Sequence, residues 1–285
     1  MQQVEVAAGV IEYGDTGGDR QVLVLVPGLA MDHRQWERVL PELRDEFRCI
    51  TPTLPMGAHR VAMKADADLS MHGMGRILTE FLERLDLADV VLCFNDWSGA
   101  QVMIADRGVD RVARLLLASC ETVGNYPPGL GGYAAWLSAK LPGGLSLTRQ
   151  ILLRPALARL PFLFGQMSKR GVPAEMMRHW MEPLARPEIR RDLRAYAGDA
   201  IPGGRRALRD AEAALGSFER PVLVVWDAEG KMMPNDEGRR LAAAFPDSRY
   251  VELPDCYTLI ALDQPLALAA EIRAFAAGEP SPAAG

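Results

Sequence analysis

Val90-Val91-Leu92-Cys93-Phe94-Asn95-Asp96-Trp97-Ser98-Gly99-Ala100-Gln101 runs from an unbroken apolar stretch, through an amide and a carboxylate, into small residues. The apolar start, Val90 to Cys93, reads as a strand covered on both faces. Ser98, Gly99 and Ala100 lead into an amphipathic segment, Gln101 to Arg107. A strand running straight into a helix is the repeating unit of a parallel sheet, whose neighbouring strands need a crossover connection.

The same rhythm extends in both directions. Apolar runs at Val22 to Val26, Phe47 to Ile50, Ala113 to Ser119, Val222 to Trp226 and Arg249 to Leu253 alternate with amphipathic stretches. Those stretches are Trp36 to Leu43, Gly75 to Leu85, Gly238 to Ala244 and Ala267 to Phe275. The fold class is therefore α/β, a mostly parallel sheet flanked by helices. Between about Glu121 and Gly216 the alternation stops, and Leu- and Arg-rich segments are punctuated by proline. The expected organisation is a discontinuous core of residues 1–120 and 217–278, an inserted helical cap at 121–216, and a flexible tail at 279–285.

With 49% hydrophobic and 24% charged residues among 285, the chain can bury a sizeable core. A net charge of −5 argues against a nucleic-acid partner, because phosphate binding needs a dominant positive field. The N-terminus lacks the pattern of a signal peptide, and no uncharged apolar run approaches the roughly 20 residues that span a bilayer. The expectation is a cytoplasmic protein with no membrane partner. Cys49, Cys93, Cys120 and Cys256 lack paired spacing and read as reduced thiols. No phosphate loop, dinucleotide fingerprint or metal-ligand cluster stands out, so neither cofactor nor metal is implied.

In an open parallel sheet, ligands gather beyond the carboxyl ends of the strands. Asp96 lies at such an end, in the construction of a nucleophile elbow, where a sharp turn lifts one side chain above the sheet. An aspartate there can form an alkyl or acyl ester. The plainer alternative is that Asp96 N-caps the next helix. The elbow is partly faithful: Phe94 stands two before Asp96 where a small residue is usual, Ser98 stands two after it, and only Gly99 keeps the expected glycine. Ser98 is a weaker alternative nucleophile.

A second turn, Val26-Pro27-Gly28-Leu29-Ala30, follows the first strong strand. Together with the elbow it resembles the α/β-hydrolase fold, and Asp96-Trp97 resembles its Asp-nucleophile branch, which contains haloalkane dehalogenases and epoxide hydrolases. The resemblance covers nearly the whole chain outside the cap. It implies that the Leu29 and Trp97 backbone N–H groups are oxyanion donors, an interaction worth roughly 3 to 4 kcal/mol each in other systems.

Two family positions depart from the pattern. The acid expected after the Val222 strand falls on Gly230, and the histidine expected after the last strand falls on Thr258. A hydroxyl cannot accept a proton as imidazole does near neutral pH. Of His33, His59, His72 and His179, His59 is the best-placed substitute base, in the loop after Phe47 to Ile50. Glu121 is the preferred acid, because some haloalkane dehalogenases carry theirs after the same strand, and Glu229 is the other candidate. Asn-Asp at the elbow with Tyr-Thr in place of Gly-His also resembles a natural subgroup of bacterial α/β-hydrolase-like sequences.

Tyr126, Trp136 and Trp180 are the candidate substrate contacts in a cap rich in aromatics and methionine. A halide site would need Trp97 and a second N–H donor where Leu29 stands, and an epoxide site would need two of Tyr126, Tyr133 and Tyr196. The cap arginines allow an anionic substrate but read more simply as solvated helix faces. The leading expectation is an enzyme using Asp96 on a small to medium apolar substrate, by an ester intermediate released with a non-standard base. Its rivals are a lyase, isomerase or cyclase with Asp96 as general acid or base, and a silent ligand-binding protein.

Overall fold

A computed structural model describes residues 1–97 and 99–282. Eight strands, β1 (Gln2–Val6), β2 (Gly9–Asp15), β3 (Val22–Val26), β4 (Arg48–Thr53), β5 (Val90–Asp96), β6 (Val112–Cys120), β7 (Val222–Asp227) and β8 (Ser248–Leu253), form one sheet. Their spatial order is β1-β2-β4-β3-β5-β6-β7-β8. From β4 to β8 every pairing is parallel, while β1 and β2 add an antiparallel margin.

Both faces of the sheet are covered. Val90, Leu92 and Phe94 of β5 join a core on one side, and Val91 and Cys93 join a second core on the other. This is the alternation a pleated strand imposes, and it explains why β5 reads as a continuous apolar run. The helices are α1 (Leu40–Leu43), α2 (Met71–Arg84), α3 (Gly99–Ala105), α4 (Gly129–Lys140), α5 (Gly144–Leu152), α6 (Pro155–Ala158), α7 (Ala174–Met181), α8 (Pro187–Gly198), α9 (Arg205–Glu212), α10 (Asn235–Ala243), α11 (Ile260–Asp263) and α12 (Pro265–Ala277). Helices α4 to α9 all fall between β6 and β7.

The sequence pattern missed β1 and β2. They form one margin of the sheet, where β1 is mostly exposed, with only Val6 buried, and carries no apolar run. The expected helix Trp36 to Leu43 is instead a 3₁₀ turn, His33–Trp36, followed by the short α1. Asp32 caps the turn and Pro41 sits at the start of α1, so the two cannot merge. Part of the expected tail is tied down: Arg249 donates to the Glu279 carbonyl and Ser281 to Glu271, while residues 283–285 lie outside the described residues. None of the described helices is long and apolar enough to cross a membrane.

The chain places β4 on one side of β3 and β5 on the other. Successive loops therefore diverge at the carboxyl ends of β3 and β5 and leave a crevice between them. Leu29 and Asp96 lie at its two sides.

Candidate active site

Asp96 ends β5 with φ +79°, a left-handed conformation that favours glycine and is uncommon for a residue bearing a side chain. A helix N-cap has extended backbone angles, so the strain belongs to a turn that lifts the side chain. The Asp96 Oδ2 accepts a hydrogen bond from the Leu29 N–H at 3.1 Å. Gly28 permits this approach, since a Cβ there would lie 2.2 Å from Oδ2. Burial raises the carboxyl pKa to about 7, opposed only in part by the Leu29 hydrogen bond.

Asp96 faces a cavity of about 160 Å³ between the strand ends and the helical segment. Leu29, Glu121, Tyr126, Trp136, Phe162 and Tyr196 are among its walls. Of the residues singled out from the sequence, Asp96, Leu29, Glu121, Tyr126 and Trp136 lie together on this wall. Trp97 is buried, and its indole Nε1–H donates to the Tyr196 hydroxyl at 2.8 Å. Tyr196 is in turn a hydrogen-bond partner of Tyr126. Burial pushes both phenols well above their ordinary pKa, and the Glu121 carboxylate adds to the effect, so both stay protonated.

A buried amide network fixes this arrangement from below. Gln35 accepts from the Gly28 N–H at 2.7 Å and donates to the Asn95 Oδ1 at 3.1 Å. Asn95 donates to the carbonyls of Ala118 and Thr258, at 3.0 and 2.7 Å. One side-chain pair thus joins the loop after β3, the elbow, β6 and the loop after β8. Sequence reasoning missed Gln35, which lies in the polar run Asp32-His33-Arg34-Gln35 and gives no local sign of its burial.

The sequence profile of the alpha/beta hydrolase family matches residues 23–271. The chain belongs to that family. It is 25% identical over 278 residues to haloalkane dehalogenase 2 of Mycobacterium tuberculosis (strain H37Rv), covering 93% of this chain and 90% of the relative. Its fold resembles that of haloalkane dehalogenase DbeA from Bradyrhizobium elkani, with a TM-score of 0.74, 19% identity and 97% of each chain covered. A thermophilic esterase from Thermogutta terrifontis gives a TM-score of 0.74 at 22% identity, covering 98% of this chain and 99% of that one. Within the α/β-hydrolases the chain lies near the dehalogenase branch.

Four expected site residues of this α/β-hydrolase-fold chain, Trp97, His59, Thr258 and Trp180, lie elsewhere than the cavity wall, and the backbone donor that reaches the Asp96 carboxyl is Leu29. His59 is buried: its Nδ1 accepts from the Gly57 N–H and its Nε2 donates to Asp192 at 3.2 Å. With both ring nitrogens engaged, it has none left to activate water. Thr258 is fully buried outside the cavity wall, and its hydroxyl has no hydrogen-bond partner among the described residues. Trp180 is buried and donates to Asp32 at 2.9 Å, making it a support for the loop after β3 rather than a substrate contact. Ser98, the weaker nucleophile candidate, lies outside the described residues. Glu229 pairs with Lys169 at the surface.

The other histidines are also placed away from the cavity. His72 pairs with Asp106 on the exposed side of α2. His33 and His179 flank Asp32, and the donor atoms of the three lie within 4.8 Å of one another. Arg60 already supplies the cation there, with guanidinium nitrogens 3.4 Å from Asp32 Oδ2 and 3.0 Å from His179 Nε2. Burial lowers the pKa of both histidines against the pull of Asp32. A further buried carboxyl, Asp227, accepts from the Ser119 hydroxyl at 2.6 Å, and burial raises it to about 7. All four cysteines are buried and free.

Proposed function

We propose that the protein is an enzyme in which Asp96 attacks a small to medium apolar substrate to form an ester. The observation that carries this reading is the strained Asp96 backbone, which holds a carboxylate beside the Leu29 N–H in an apolar cavity. A volume of about 160 Å³ is close to that of engineered cavities, on the order of 150 Å³, that accept benzene. One aromatic ring or an equivalent aliphatic chain is therefore the size class.

In the first half-reaction, an Asp96 oxygen forms a bond to an electrophilic carbon and the leaving group departs with the bonding electrons. The Tyr126 and Tyr196 hydroxyls favour a leaving oxygen, to which a phenol can give a proton. The Trp97 indole N–H, a halide ligand by resemblance, is already engaged by Tyr196. Glu121, on the cavity wall, is the carboxylate that would take a proton from the water that opens the ester.

A second reading is favoured by the Asp96 pKa of about 7. A carboxyl poised near neutrality suits proton transfer, so a lyase, isomerase or cyclase that never forms an ester stands as the rival. Intact-protein mass spectrometry with epoxides, esters, lactones and haloalkanes separates them, run on the parent and on Asp96→Asn. An adduct on the parent alone, or labelled-water oxygen found in the Asp96 carboxyl and, over repeated turnovers, in the product, supports the ester route. Product without water-derived oxygen supports proton transfer. Neither adduct nor product across the panel would reject both in favour of a silent binding protein.

A further inference from the structure

The helical segment between β6 and β7 carries an apolar surface that its own fold leaves uncovered. Of the eight large hydrophobic residues exposed among the described residues, six fall here: Leu130, Tyr133, Leu137, Leu141, Leu147 and Phe162. Leu130, Tyr133 and Leu137 lie on α4 and Leu141 at its C-cap, at spacings of three, four and four. That is one stripe along a helix. The opposite face of α4, through Ala134, Ala135 and Ser138, lines the cavity. Helix α4 is thus apolar on both sides, one turned to the cavity and one to the outside.

The charge pattern says what the outer side meets. From residue 122 to residue 174 the chain has six basic residues and no acidic one, although the whole protein is acidic. Lys169 and Arg170 are drawn to Asp255 across the fold. Lys140, Arg149, Arg154 and Arg159 remain on the stretch that bears the exposed leucines, and Lys140, Arg154 and Arg159 are exposed. An apolar stripe on a segment whose charges are all basic suits the boundary between acyl chains and anionic headgroups, where apolar side chains sink and basic ones stay at the charged surface.

We infer that α4 and the turn into α5 dock this protein onto an anionic lipid surface. The sequence-level expectation of no membrane partner rested on the lack of a spanning segment, which a surface contact does not need. Phe162 lines the cavity and is also 46% exposed, so the cavity wall is continuous with the docking face. A substrate dissolved in lipid would then reach the cavity without crossing water. The docking surface does not depend on Asp96.

The test is co-sedimentation of the full chain with phosphatidylcholine vesicles, with and without phosphatidylglycerol, at low and high salt. The parent should bind the phosphatidylglycerol vesicles, and more weakly at high salt. Leu130→Glu/Leu137→Glu should weaken binding by roughly tenfold or more, and Lys140→Glu/Arg154→Glu should remove the salt-dependent part. Both residue pairs lie off the cavity wall, and thermal melting of each variant verifies folding. Asp96→Asn should bind like the parent, which separates a failure here from a failure of the proposed chemistry. No binding by the parent, equal binding to neutral vesicles, or leucine and charge variants that bind like the parent would overturn the inference. So would a concentration-dependent dimer, abolished by the leucine variant, with no vesicle binding: the stripe would then join two copies.

Discussion

Asp96 is subject to two opposed demands. The proposed ester chemistry requires a carboxylate in an apolar cavity, whereas stability favours leaving no charge there. The carboxyl pKa rises on folding from 3.8 to about 7. A raised pKa means that the stability associated with the protonated group is complete below the unfolded value and is lost as pH climbs toward the folded one. By about pH 7 the loss from this residue reaches at most about 4 kcal/mol, at 1.36 kcal/mol per unit. Asp96→Asn keeps the shape and the acceptor for the Leu29 N–H but carries no charge. It should be inactive, yet more stable than the parent at pH 8 and little different at pH 4. Urea denaturation at both pH values measures this, and an equally stable or weaker variant at pH 8 would show that the Asp96 charge is better solvated than its burial implies.

His59 and Asp192 act at the scale of elements, joining the loop after β4 to α8. Burial opposes ionisation of Asp192, but hydrogen bonds from His59, the Met63 N–H and Arg191 together outweigh it and lower its pKa. Removing the imidazole leaves a buried carboxylate short of a donor, and His59→Ala should cost about 2–4 kcal/mol. Turnover per folded molecule should hold, because the ring is absent from the cavity wall; a loss of turnover with unchanged stability would restore His59 as a base. Sequence alone could not make this distinction, since Asp192 lies 133 residues away and shares no local pattern with His59. What was legible followed from local rules: β5 from its apolar run and the turn at Asp96 from the residues around it, whereas Glu121 was singled out by resemblance to the dehalogenases rather than by any local pattern. Gln35 and the strands β1 and β2 were not legible, because long-range partners define them rather than periodicity.

Across the whole molecule, two buried acids set the alkaline side of the stability curve and several paired ones the acid side. Asp227, like Asp96, is raised to about 7 by burial. Each costs stability progressively as pH rises from about 4 to about 7, after which the cost is constant. Asp15 runs the other way: the Arg48 hydrogen bonds hold it below its ordinary value, as donors hold Asp192. Those contributions are present above the unfolded carboxylate pKa and vanish as pH falls through the lower folded values. By themselves the two groups of acids put maximum stability at mildly acidic pH, near 4 to 5, and His33 and His179, lowered by burial, oppose that trend by favouring the fold as pH rises through the ordinary histidine value. Melting temperature should fall from there to about pH 7 and then level off. Asp96→Asn/Asp227→Asn should flatten that decline while leaving the acid limb unchanged, because Asp15 and Asp192 remain. A parent protein most stable at or above neutrality would mean that its buried carboxyls ionise at ordinary pH, and the proton-transfer reading of Asp96 would lose its physical basis.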